Sequence, residues 1–160
     1  MSSIRHISAA FAVAVVLVLS LMGTSRAFSL FGSNDETTVT AENAVVSIPV
    51  AAVSDGTAHF YTYQHEGRDI RFFVIKSSDG VIRAAFDACD VCWQAGKGYT
   101  QDGEFMICDN CGRRFHGSRI NEVEGGCNPA PLLRTLDGDT LRIAVTDLLA
   151  GARFFVGGRS

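Results

Sequence analysis

Clustered positive charge is missing from this 160-residue sequence: 14 Lys and Arg stand against 17 Asp and Glu, the net charge is −3, and the basic residues are scattered. Without a basic patch the chain carries no electrostatic footprint for nucleic acid. A Ser/His/Asp arrangement, a phosphate-binding glycine loop and paired catalytic carboxylates are all lacking, so the sequence does not read as a hydrolase, and no enzyme is expected. No histidine follows Cys92 or Cys111, which excludes covalent haem. There is no internal repeat beyond two cysteine pairs. Those pairs are what the sequence does offer: Cys89 and Cys92, then Cys108 and Cys111, with Cys127 as a fifth cysteine.

The amino-terminal segment also lacks something, a twin arginine, because Arg5 is followed by His6. Its weakly basic start, its apolar run over about residues 7–22 and the small residues around Ser25-Arg26-Ala27 read as a signal peptide over residues 1–27. The alternative is a membrane anchor, since the run approaches the length that spans a bilayer. Either way the rest of the chain is expected outside the cytoplasm, in the periplasm, secreted or anchored. Export without a twin arginine proceeds unfolded, so any metal would be acquired outside. Residues 28–44 are polar and acidic without periodicity and read as a flexible linker, leaving residues 45–160 as one domain.

That domain reads as mainly β. "AVVSIPVAAV" is a short strand interrupted by Pro49, hence an edge. Residues 59–64, rich in aromatic and β-branched types, form a strand. A turn at 66–69 leads to a second strand over 70–75, and Asp79-Gly80 turns the chain into a third over 81–86. This meander delivers the chain to Cys89. "QAGKGYTQDGE" reads as loop, 105–107 as a short strand into Cys108, and "GGCNPAPL" as turn. A last strand covers 141–145, and Thr146 and Asp147 start a short C-terminal helix.

The spacing of the pairs is C-x2-C-x15-C-x2-C. Each C-x-x-C brings two sulfurs to one side of a tight turn, the bite a tetrahedral metal needs, and the spacing suits a four-cysteine site. Gly112 after Cys111 lets backbone N–H groups turn toward sulfur, whereas Trp93 after Cys92 requires a different loop. Structural disulfides are the bland alternative for exported thiols, but five cysteines cannot all pair within one chain. A thioredoxin-type motif would open a helix in a βαβ setting, which neither pair has. Zinc and iron–sulfur both remain open on the spacing.

"ICDNCGRRFHGSRINEVEGGCNPAPL" resembles the second half of a Rieske cluster domain, where a ligand loop leads to a short Phe-containing strand and a Gly/Pro segment covers the cluster. Cys108 and Cys111 match the second ligand loop and residues 125–131 the covering loop. Cysteine stands where that family has histidine, which implies a lower reduction potential, because thiolates add negative charge. More of the chain is covered by a second resemblance. "AHFYTY", "FFVIKSSDGVIRAAFDACDVC", "GKGY", "CDNCG" and "GGCNPAPL" together look like the membrane iron–sulfur proteins of the FtrD-like family. The resemblance implies a small Rieske-like β-sandwich or barrel with Cys89, Cys92, Cys108 and Cys111 as ligands of an iron–sulfur centre. It also implies a role in electron transfer beside membrane redox or ferrous-iron transport proteins. Cys127 would lie in the covering loop, beside the ligands or as an alternative one. The remaining expectation is a zinc-stabilised binding module with no redox role.

His65 and His116 are further candidate ligands, each more simply explained as an ordinary polar-turn or surface histidine. Phe60, Tyr61, Tyr63, Phe72 and Phe73 read as sheet core rather than an electron path. Asp87 and Asp90 flank Cys89 and are expected to cap its turn.

Overall fold

The computed structural model describes residues 36–156, so the amino-terminal segment read as signal peptide or anchor lies outside the described residues. Ten strands and one short helix make the described chain mainly β, as the composition of the strand segments predicts. Among the described residues no helix is long and apolar enough to cross a membrane.

The central sheet is the expected meander. Strands β3 (His59–His65), β4 (Arg68–Lys76) and β5 (Ile82–Phe86) pair antiparallel in sequence order. Their first turn is tighter than expected: only Glu66 and Gly67 lie between paired His65 and Arg68, and both have positive φ, 48° and 74°. That geometry matches the twist of the flanking strands. Strand β1 (Thr37–Val39) adds to β3 in parallel. Part of the segment read as linker, 28–44, therefore belongs to the sheet. Its polar side chains hid this, because an edge strand can stay exposed on both faces while its backbone bonds are satisfied.

Two three-stranded sheets cover the meander. One has the order β2 (Val45–Pro49), β10 (Thr140–Ala144), β9 (Thr135–Asp137); the other is β6 (Tyr99–Asp102), β7 (Phe105–Cys108), β8 (Arg114–His116). Pro49 ends β2 at the sheet edge, as its missing N–H requires. Helix α1 (Val145–Ala150) follows β10 directly. The sheets do not close into a barrel.

Side chains alternate along β4 and divide the core in two. Ile70, Phe72 and Val74 pack with Val46, Ile48, Leu141, Ile143 and Leu148. Phe73 and Ile75 face the other way, toward Phe60, Tyr99, Met106, Ile120, Cys89 and Cys108. Burial on both faces explains why β4 reads as an almost continuous apolar run. Most of the aromatic series is sheet core: Phe60, Tyr61, Phe72 and Phe73 are buried, and Tyr63 is half-buried against them. Each such side chain contributes on the order of 1.5–3 kcal/mol by leaving water. The second core ends in sulfur, and there the site begins.

Candidate metal centre

The first thiol pair sits where β5 runs out. Beyond Phe86 the chain tightens. The Cys92 N–H donates to the Cys89 sulfur at 3.1 Å, and the Trp93 N–H to the Cys89 carbonyl at 3.2 Å. A 3-10 turn over Trp93–Ala95 follows, closed by Gly96 at φ 63°. Trp93 does give this loop its own form, with the left-handed glycine displaced to position 96. The second pair follows the sequence reading directly. Gly112 has φ 71°, and its N–H donates to the Cys108 carbonyl at 2.8 Å.

Strand β6, invisible in the sequence, fastens the two loops together. Tyr99 lies opposite Cys108 in the β6–β7 ladder, and the Asp109 N–H donates to the Gly98 carbonyl at 3.0 Å. From the other side, the Asp87 carboxylate accepts the Tyr99 N–H at 2.7 Å. Asp87, expected to cap its own turn, reaches a strand 12 residues away, and the turn itself closes through the Cys89 sulfur and carbonyl. Asp90 pairs with Arg153 at 3.2 Å and makes no such cap. Arg71 lies beside Asp87, Nε to Oδ2 at 3.5 Å, and donates to the Gly96 carbonyl at 3.2 Å.

Cys127 arrives from a third direction. The Ala130 N–H donates to the Ala88 carbonyl at 2.9 Å and the Phe86 N–H to the Ala130 carbonyl at 2.8 Å, which lays this loop along the first pair. The Tyr99 hydroxyl donates to the Cys127 carbonyl at 2.7 Å. The Cys127 sulfur then lies 3.9 Å from that of Cys92.

All five sulfurs are thereby gathered, and all five cysteines are free thiols. Among the described residues they form two compact groups, Cys89/Cys92/Cys127 and Cys92/Cys108/Cys111, with every sulfur within 4.8 Å of the others in its group. Cys89 and Cys108 are buried, Cys92 and Cys127 half-buried, and Cys111 exposed. Neither candidate histidine joins them. His65 lies near Glu66 at 3.9 Å, and His116 near Glu104 at 3.5 Å with its other ring nitrogen on Ser118.

The thiols perturb one another. A hydrogen bond with Asn110, aided by the neighbouring thiols, draws Cys92 down to about 7 against the effect of burial. Burial pushes Cys108 up to about 11. Burial and the neighbouring Cys111 and Cys92 push Cys127 up to about 12. Burial and the adjacent Cys89 likewise raise Tyr99. Five crowded sulfurs, with neither carboxylate nor imidazole among them, suit zinc or an iron–sulfur group.

The family comparison agrees with that donor set. The model of the FtrD-like family, described as membrane iron-sulfur containing protein FtrD-like, matches residues 53–155. A solved structure of the quaternary ammonium Rieske monooxygenase CntA, in complex with an inhibitor, is similar at 14% identity and a TM-score of 0.43. The similarity covers 61% of this chain and 29% of that one. No curated protein matches the sequence.

Proposed function

The chain belongs to the FtrD-like family of membrane iron–sulfur containing proteins, and from that premise we propose that it is an extracytoplasmic electron carrier. Its cysteines would hold an iron–sulfur centre that passes electrons, without catalysis, to a membrane redox or iron-uptake complex. One observation carries this reading above a single zinc ion held by the four paired cysteines. A single tetrahedral ion with metal–sulfur bonds of about 2.3 Å needs all six edges between its four thiolates at roughly 3.8 Å. The four paired thiols do not make one such group, for Cys89 stands with Cys92 and Cys127, apart from Cys108 and Cys111. A centre broader than one ion suits that spread better.

When bound, an iron–sulfur group would supply a one-electron couple. The chain's own contribution is to hold the thiolates, bury Cys89 and Cys108, and leave Cys111 at the surface, where a partner approaches. The purified protein tests the reading. Visible absorbance with an EPR signal on reduction is expected; a colourless protein containing zinc would establish the binding-module alternative instead.

A further inference from the structure

The sequence leaves Cys127 beside a site that two C-x-x-C pairs already fill. Its position in the fold says more. The Cys92–Cys127 separation of 3.9 Å is close to the roughly 3.8 Å edge between two thiolates on one tetrahedral ion. Cys127 also shares a mutually close group with Cys89 and Cys92, as Cys92 does with Cys108 and Cys111. Only Cys92 belongs to both groups, so it occupies the place of a bridging sulfur.

The position of Cys127 is fixed by structure on both sides. Gly125 and Gly126 take positive φ, 81° and 63°, and turn the chain back before the thiol. After it, the bonds linking Ala130 to Ala88 and Phe86 hold the loop to the base of the first pair. Tyr99, 3% exposed, gives its one hydroxyl proton to the Cys127 carbonyl. A buried tyrosine hydroxyl spent on orienting a cysteine backbone is the arrangement expected behind a ligand, whose direction must be set from outside the metal.

We propose that the five cysteines form a two-ion thiolate centre: Cys89, Cys92 and Cys127 hold one metal ion, Cys92, Cys108 and Cys111 hold the other, and Cys92 is shared. The proposal rests on the metal-binding reading above but not on the metal being iron.

Cobalt(II) titration of the reduced full-length protein, without oxygen, separates the two. Wild type should take up two cobalt ions per chain, with sulfur-to-cobalt charge-transfer absorbance rising through both. Cys127→Ser should bind one, as should Cys111→Ser from the opposite group, with the absorbance reduced accordingly. Saturation of wild type at one ion, or a Cys127→Ser protein with unchanged stoichiometry and spectrum, would overturn the proposal. Should Cys127→Ser fail to fold, by loss of its far-ultraviolet dichroism, X-ray absorption of the wild-type complex decides. About three sulfurs per cobalt are expected, and two or fewer would refute the shared thiol. A protein isolated without iron that still binds two cobalt ions would defeat the electron-carrier reading and leave this proposal standing.

Discussion

Gly98 shows how little freedom the site leaves its neighbours. Its φ is 78°, and a Cβ there would fall 2.2 Å from an Asp87 carboxylate oxygen. That carboxylate cannot simply swing away, because it holds the Tyr99 N–H and lies beside Arg71. Gly98→Ala should therefore cost about 1–2 kcal/mol for the left-handed backbone alone, with the displaced carboxylate added. We expect a lower urea midpoint and incomplete metal loading in the same variant; wild-type values for both would show that Asp87 does not latch the loops. Asp79 makes a different demand. Hydrogen bonds from Arg83, then from Ser77 and the Val81 N–H, hold its carboxyl well below the ordinary 3.8. A folded-state value below the unfolded one stabilises the fold at every pH above the unfolded value, and that contribution disappears as acid protonates the folded carboxylate. Stability should thus decline below about pH 4. Denaturation at pH 6 and pH 3 checks this: Asp79→Asn should narrow the difference between the two midpoints, since Arg83 retains the Ile120 carbonyl at 2.9 Å in either case.

Short elements that depend on distant partners are where sequence reasoning ended. The meander β3–β5 was legible because its aromatic and β-branched runs are long and its Asp79-Gly80 turn is explicit. Strand β6 was not, for Tyr99–Asp102 is a four-residue stretch set between Gly98 and Gly103. It is a strand because Asp87 and the ladder to β7 hold it, and neither contact leaves a local pattern. Strand β9 is exposed throughout and shows no alternation to read. The paired cysteines were readable from spacing, whereas the approach of Cys127 depends on bonds between Ala130 and Ala88 across the fold. Helix α1 offers its own test. It stops at Gly151, where a Cβ would sit 2.2 Å from the Phe86 ring although the backbone angle is ordinary. Gly151→Ala should cost about 1–3 kcal/mol through overpacking. Chemical denaturation would measure this, and the thiol count by metal titration should remain that of wild type.

Metal in this protein would join parts that otherwise meet through side-chain packing and a few hydrogen bonds. The loop after β5 supplies Cys89 and Cys92, the end of β7 and the turn to β8 supply Cys108 and Cys111, and the loop at 125–131 supplies Cys127. Binding energy is then folding energy shared among three pieces. Chelation should lower the melting temperature, and amide exchange should quicken more in β6–β8 than in β3 and β4, whose ladder needs no sulfur. Uniform exchange changes across the described residues would contradict that division.

Cys108 is buried because it stands an even number of residues from Met106, also buried, while Phe105 and Ile107 between and before them are half-exposed. Side-chain direction in a strand is a matter of parity. Removing one residue from this short run would send the sulfur to the solvent side without altering a single cysteine or the C-x-x-C motif itself. A search for lost function among shortened variants would find the motif intact and the centre gone, so here the count of intervening residues is as much a ligand-setting feature as the thiol it aims.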